Sequence, residues 1–141
     1  MEKTAVLLSI HKDFCDLIKS GEKTVEIRTT MPKLPLPFKC YISQTRGGGV
    51  IGEFTCERID EYTLKSLTEA DGWRERRQRL LYQSCLNWRQ LYFYGDGKEN
   101  FCKAWHISNL KIYDKPLALS DFGIKKNPQS WRYVEERQGE Q

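Results

Sequence analysis

The sequence predicts an α+β fold, a small mixed β-barrel of about five or six strands with helices at its rim. Short apolar or alternating segments, typical of strands, dominate both ends of the chain, and a helical pattern fills its middle. Strands and helices do not alternate regularly, which argues against a doubly wound parallel sheet. The 141 residues are expected to form one domain over 1–136, followed by a flexible tail over 137–141.

The first third of the chain predicts two strands around one helix. Residues 4–10 are apolar and partly β-branched without alternation, as in a strand buried on both faces. Residues 12–20 place apolar side chains at helical spacing, and Gly21 follows where a helix would end. Residues 24–28 alternate polar and apolar side chains and predict a half-buried strand. The next stretch, MPKLPLP, is too rich in proline for a strand or helix and is expected to be a loop.

The remaining elements form a hairpin, a helical region and a long strand. Residues 38–43 and 50–62 predict paired strands joined by a turn with three glycines. That turn could cradle a phosphate, but it lacks the Lys-Ser/Thr ending of a P-loop. Residues 63–94 predict two or three helices, and residues 101–113 predict a long strand. The last apolar segment is expected to wrap around the body and end in a short strand.

Composition excludes several functional classes. The chain has five scattered cysteines without a C-x-x-C pair, and two histidines outside any Cys/His spacing, so we predict no metal and no cofactor. No apolar run is long enough to span a membrane, and the start lacks the features of a signal peptide. Reduced thiols and these absences predict a cytoplasmic protein. The formal net charge of +4 permits a polyanionic partner.

Two segments concentrate charge. Residues 73–79, WRERRQR, carry four arginines against one glutamate, which fits either a solvated helix face or an electrostatic contact surface. The segment GEKTVEIR places Lys23, Glu26 and Arg28 where a helix ends and a strand begins. Glu26 and Arg28 share one strand face because they lie two residues apart. They form either a surface salt bridge or a polar site in which the carboxylate accepts hydrogen bonds and the guanidinium binds phosphate or a base edge.

A family resemblance favours the site. The run LLSIHKDFCDLIKSGEKTVEIR resembles the opening of the ASCH (activating signal cointegrator homology) domain, whose hallmark Gly-x-Lys-x-x-x-x-Arg falls on Gly21, Lys23 and Arg28, with Glu26 at a commonly acidic position. The similarity continues in the same order through four further segments: VIGEFTCERID, SCLNWRQLYFYGDGK, AWHISNLKIYDKP and PQSWRYV. The resemblance implies a β-barrel like that of pseudouridine synthase and archaeosine transglycosylase (PUA-like), with a cleft that binds RNA or a modified nucleoside or nucleotide.

The resemblance also implies which side chains line that cleft. Seven residues are candidates for binding the nucleotide: Ser9, His11, Lys23, Glu26, Arg28, Gln129 and Ser130. Tyr41 or Trp131 could stack on a base, although core packing is the favoured interpretation for both. His11 has a second interpretation as a helix cap, and His106 is interpreted as a structural histidine in a strand.

A catalytic alternative stays open at this point. One branch of the ASCH family is an amidohydrolase that deacylates N(4)-acetylcytidine with a lysine, a threonine three residues later and a distant glutamate. Lys23 matches the lysine, whereas Glu26 stands at the threonine position and is the tentative second catalytic residue. Thr24 is displaced, and Glu69 and Glu75 are the nearest candidates for the glutamate.

Other functional classes have less support from the residues. A ribonuclease activity would lack the usual pair of catalytic histidines.

The principal hypothesis is therefore an RNA-binding or nucleotide-binding domain, with the arginines of residues 74–79 on the RNA backbone. An interaction domain without a nucleic-acid ligand is the third hypothesis, and the sequence does not indicate an oligomeric state.

Overall fold

A computed structural model describes residues 3–137 of the chain. The predicted tail therefore lies outside the described residues except for Arg137. The backbone N–H of Arg137 donates a 2.8 Å hydrogen bond to the hydroxyl of Tyr41.

Eight strands and three α-helices form between residues 3 and 137. The strands are β1 (Thr4–Ile10), β2 (Val25–Arg28), β3 (Phe38–Gln44), β4 (Gly49–Cys56), β5 (Ile59–Thr63), β6 (Asn100–His106), β7 (Ser108–Leu117) and β8 (Trp131–Glu135). The helices are α1 (Lys12–Ser20), α2 (Trp73–Ser84) and α3 (Trp88–Gly95), with short 3-10 helices at Lys65–Leu67 and Leu119–Phe122. The α+β class predicted from the sequence is confirmed.

The strands form two sheets rather than one closed barrel. The larger sheet has the order β7-β4-β3-β1-β8, and the smaller has the order β2-β6-β5. Strands β1 and β3 are parallel, which the crossover through α1 and β2 allows, and the other pairs are antiparallel. The predicted hairpin of β3 and β4 is confirmed, whereas no closed barrel forms in the part of the chain that the structure describes.

The predicted number of strands is wrong because two predicted strands each divide in two. The predicted strand 50–62 breaks between β4 and β5, and the predicted strand 101–113 breaks at Ile107 between β6 and β7. At both breaks the chain passes from one sheet to the other. A backbone hydrogen bond connects the two breaks: the N–H of His106 donates to the carbonyl of Arg58 at 3.0 Å. β-Propensity continues across such a bend, so composition does not reveal it.

Apolar packing holds α1 against the larger sheet. Cys15 and Ile18 of α1 are buried with Leu8, Phe54 and Trp105 in one cluster. A second cluster packs the smaller sheet against α2 and α3. The two clusters fix the end of β1, the start of α1 and strand β2 relative to one another, and these are the elements that form the cleft described below.

The thiols provide a test of this packing. Burial raises the pKa of Cys15 and Cys102 to about 12 and of Cys56 to about 11, and it raises that of Cys40 well above the usual range. Cys85, at the end of α2, is partly exposed. We expect iodoacetamide to modify Cys85 in the folded protein and the other four only after denaturation, because the thiolate is the reactive species. Mass spectrometry of peptides from native and denatured samples measures this, and rapid native modification of Cys15 would contradict the packing.

Candidate nucleotide-binding cleft

A cleft of about 550 Å³ opens where the end of β1 meets the smaller sheet. All seven residues that the sequence assigned to a binding site line it: Ser9, His11, Lys23, Glu26, Arg28, Gln129 and Ser130. They come from four separate parts of the chain: the end of β1, the start of α1, strand β2 with the residues before it, and the segment before β8. The fold brings these parts to one opening.

Lys23 reaches the cleft because the end of α1 turns the chain sharply. Gly21 has φ +86°, in the left-handed region that favours glycine, and its N–H donates to the carbonyl of Ile18. Lys23 precedes β2, so it is free of the strand alternation that would place it opposite Glu26. Its Nζ donates a 2.6 Å hydrogen bond to the carbonyl of Ser84, the last residue of α2. A helix ends with unpaired carbonyls and partial negative charge, which favours a cation there.

Arg28 joins the two sheets below the cleft. Its guanidinium donates to the carbonyl of Ser9 in β1 at 2.7 Å and to the hydroxyl of Tyr94 in α3 at 3.0 Å. It also forms a hydrogen-bonded ion pair with the Glu26 carboxylate. A lysine could not make this planar set of contacts, since its single ammonium lacks the fork geometry.

Lys23, Glu26 and Arg28 form a charge cluster that is almost entirely buried, with side chains 2%, 7% and 5% exposed respectively. Lys23 Nζ lies 3.3 Å from Glu26 Oε1, close enough for an ion pair but without hydrogen-bond alignment. Among the described residues, Glu26 Oε1 and Arg28 Nε have no hydrogen-bond partner. Two cations face one carboxylate, so the floor of the cleft carries an excess positive charge and an unused acceptor.

The rim of the cleft is polar, but some of its polar groups already form hydrogen bonds within the protein. Ser9 donates from its hydroxyl to the carbonyl of Pro128 at 2.7 Å, and its N–H donates to the carbonyl of Ser130. These bonds attach the segment before β8 to the end of β1. His11 Nδ1 accepts a hydrogen bond from the N–H of Asp13, so it caps α1 while it lines the cleft. Gln129 is exposed, and its amide has no role in this attachment.

Phe14, Leu86 and Tyr94 are among the apolar or aromatic residues of the cleft that were not predicted as site residues. Tyr94 is 43% exposed, and its hydroxyl meets Arg28. Burial raises the pKa of the Tyr94 phenol, with Arg28 partly opposing this, so the phenol is neutral at physiological pH. No sequence signal distinguished Tyr94, because its helix reads as an ordinary amphipathic segment.

Neither aromatic residue considered for base stacking, Tyr41 or Trp131, lines the cleft. Tyr41 is buried in the core against Phe122, with ring centroids 4.7 Å apart. Trp131 packs edge-on to Trp105 and Tyr133. For both residues, core packing is the interpretation that fits the structure. Tyr94 and Phe14 are the aromatic side chains that the cleft does contain.

Arginines in the basic run of α2 make contacts within the protein. Arg77 lies between the rings of Trp73 and Trp88, at 4.7 and 3.6 Å from their centroids, and donates to the carbonyl of Leu67. Arg76 donates to two backbone carbonyls, those of Ser66 and Asp71. These guanidinium groups stabilise the connection before α2, which leaves less of the run for contact with a ligand than the sequence suggested.

The catalytic alternative lacks its further residues at this site. Lys23 and Glu26 are in contact, but Thr24, Glu69 and Glu75 are exposed and outside the cleft lining. His106 binds Asp60 at 2.8 Å on the smaller sheet, in agreement with a structural role.

No group of three or more His, Cys, Asp or Glu side chains suited to a metal ion occurs within residues 3–137. No helix in that range has both the length and the apolar character needed to cross a membrane.

Solved structures of similar fold come from Zymomonas mobilis. The ASCH protein of that organism is 24% identical, with a TM-score of 0.74, over 95% of this chain and 88% of that one. Its serine-to-alanine variant gives 24% identity and a TM-score of 0.74 over 95% and 89% of the two chains, and its tyrosine-to-phenylalanine variant gives 24% and 0.71 over 95% and 91%. At this identity the likeness establishes the fold. No curated protein matches the chain.

The family assignment rests on a sequence match to the ASCH domain over residues 8–116. The matched region contains the end of β1, strands β2 to β6, most of β7 and the whole Lys23, Glu26 and Arg28 cluster. Because the match spans most of the 141 residues and the solved ASCH structures share the fold, the chain belongs to the ASCH domain family, whose fold is PUA-like.

Proposed function

We propose that this protein binds RNA, through a nucleotide held in the cleft. The buried cluster of Lys23, Glu26 and Arg28 carries the proposal. Buried charges are costly unless they are paired, and this cluster keeps an unmatched excess of positive charge beside an open cleft. A ligand that brings a phosphate or a base carbonyl would supply the missing acceptor.

The hydrogen-bonding atoms of the cleft suit a nucleotide. A lysine ammonium has three donors, and Lys23 uses one on Ser84 while a second faces Glu26. Glu26 Oε1 can accept from an amino or imino N–H of a base. Gln129 at the rim offers both a donor and an acceptor to a base edge or ribose. This mixture of donors and acceptors suits recognition of a base better than binding of a phosphate alone.

The cleft also offers size and a stacking surface. Its volume of about 550 Å³ lies within the range of small-molecule sites, roughly 300–1,000 Å³. Tyr94 is the more exposed of the two aromatic rings in the cleft, Phe14 and Tyr94, and unpaired RNA bases stack on such rings. The absence of Thr24, Glu69 and Glu75 from the lining favours binding over hydrolysis.

Replacing Tyr94 tests this proposal. We expect Tyr94→Leu to weaken binding of single-stranded RNA and of nucleoside monophosphates about five- to tenfold, because base stacking on an aromatic ring is lost. Tyr94→Phe keeps the ring and should lose less. Calorimetric titration of each purified variant measures the affinities.

Tyr82→Leu is the matched control, because Tyr82 is 82% exposed on α2 and outside the cleft. It should bind like the wild type. A wild-type protein that binds neither RNA nor any nucleotide would overturn the proposal, and so would equal losses for Tyr82→Leu and Tyr94→Leu.

A further inference from the structure

A second concavity, here called the basic groove, lies beside the cleft. It has a volume of about 700 Å³ and is formed by the turn between β3 and β4 and by the segments on either side of Gly123. Arg46, Lys125 and Lys126 line it, and none of the described lining residues is acidic. Three cations without a carboxylate give a concave surface of one charge sign, which concentrates anions.

These three cations are available to a ligand. Arg46, Lys125 and Lys126 are exposed, and none of them forms an ion pair or side-chain hydrogen bond with another residue in the described part of the chain. Arg76 and Arg77 of α2 differ, because both donate to backbone carbonyls. The basic groove therefore holds cations that the fold itself does not use.

The backbone that carries these cations is fixed in place. Lys125 and Lys126 lie between Ile124, which is 5% exposed in the core, and Asn127, whose side-chain oxygen accepts a hydrogen bond from Ser43. Arg46 follows Thr45, whose N–H donates to the carbonyl of Ile10 at 3.0 Å. Fixed anchor points limit the entropy that would be lost when a ligand binds.

The basic groove adjoins the cleft along two segments of the chain. Thr45 lines the cleft and Arg46 lines the groove; Pro128 lines the cleft and Asn127 lines the groove. Consecutive Cα atoms are about 3.8 Å apart, so the two concavities share a rim along both segments. The Ser43–Asn127 hydrogen bond connects the strand that precedes the turn to the segment before β8. A ligand longer than one nucleotide could pass over this rim from one concavity to the other.

A different concavity on the smaller sheet is less suited to an anion. Arg58, Arg76 and Arg79 line it, but Asp60 and Glu61 line it as well. Arg58 is already paired with Asp60 at 3.0 Å. The carboxylates offset the positive charge, so the observations favour the basic groove.

We propose that the basic groove binds phosphates of a single-stranded RNA whose nucleotide occupies the cleft. The inference rests on the proposed function, and it makes the ligand an RNA strand rather than a free nucleoside. Lys125 and Lys126 supply point charges, and Arg46 supplies a planar donor group from the opposite segment. The RNA backbone leaves the cleft over the rim formed by Thr45 and Pro128.

The test removes the three charges together. In Arg46→Gln/Lys125→Gln/Lys126→Gln, we expect the affinity for a single-stranded RNA of about eight nucleotides to fall about tenfold, with the affinity for nucleoside monophosphates unchanged. The slope of log affinity against log salt should become shallower by about 1 to 2, because each phosphate contact with a single strand contributes about 0.7. Fluorescence anisotropy at several salt concentrations measures both quantities.

The control removes three other exposed lysines, as Lys19→Gln/Lys65→Gln/Lys98→Gln, and lowers the net charge equally. It should keep the wild-type RNA affinity and salt slope. If the groove variant binds RNA like the wild type while Tyr94→Leu is impaired, the groove proposal is overturned and the cleft proposal stands. Equal losses in both triple variants would also overturn it, and a wild type that binds no RNA would overturn both proposals.

Discussion

Replacing Glu26 by glutamine is expected to lower the free energy of unfolding by about 3–5 kcal/mol, because it leaves two buried cations without their carboxylate. Lys23 and Arg28 are at most 5% exposed at their side chains, and Glu26 is their shared anion. Glutamine has nearly the same shape, so the loss arises from charge rather than from a cavity. Urea denaturation of wild type and variant at neutral pH measures the difference.

Lys23→Met should lower the free energy of unfolding less than Glu26→Gln does. It removes one cation and leaves Glu26 paired with Arg28, although the carbonyl of Ser84 loses its donor. Glu69→Gln, at an exposed position, should change stability by no more than about 0.5 kcal/mol. A Glu26→Gln variant as stable as Glu69→Gln would contradict the description of the cluster as a buried, mutually dependent set of charges.

The sequence predicts the local elements well where the pattern is short and complete. Strand β1 and helix α1 have the predicted bounds, because an uninterrupted apolar run and a helix stop at Gly21 are local signals. The divisions at Ile107 and between β4 and β5 are not local. They depend on which sheet each half joins, and the side-chain pattern of a strand does not indicate which strand it pairs with.

The seven candidate residues named from the sequence line one cleft, but the contacts of each residue there were not predictable. The hallmark of the family places Lys23 and Arg28, but not their burial or their bonds to Ser84, Ser9 and Tyr94. Spacing on a strand describes one face of one element, whereas these contacts join several elements. For the same reason the sequence could not show that Arg76 and Arg77 serve the fold while Lys125 and Lys126 remain available.

Replacing Lys23 by methionine is expected to weaken RNA and nucleotide binding about 10- to 100-fold. A hydrogen bond to a charged group contributes about 1.5–3 kcal/mol, and about 1.4 kcal/mol corresponds to a tenfold change in affinity. Methionine is unbranched like lysine and one atom shorter, so it can still pack against Phe14, over which the Lys23 ammonium lies at 4.9 Å. The variant therefore removes the charge with little change in shape. Titration with RNA at constant salt measures the loss.

The salt dependence of that loss separates a base contact from a phosphate contact. If Lys23 binds a base carbonyl, the variant loses affinity while the salt slope stays constant, because no phosphate counterion is released at this position. If it binds phosphate, the slope falls by about 0.7. Lys12→Met, which breaks only an exposed ion pair with Asp16, is the matched control and should bind like the wild type. Unchanged affinity in Lys23→Met would contradict a role for the buried cluster in binding, and release of acetate from N(4)-acetylcytidine by the wild type alone would assign Lys23 to hydrolysis instead.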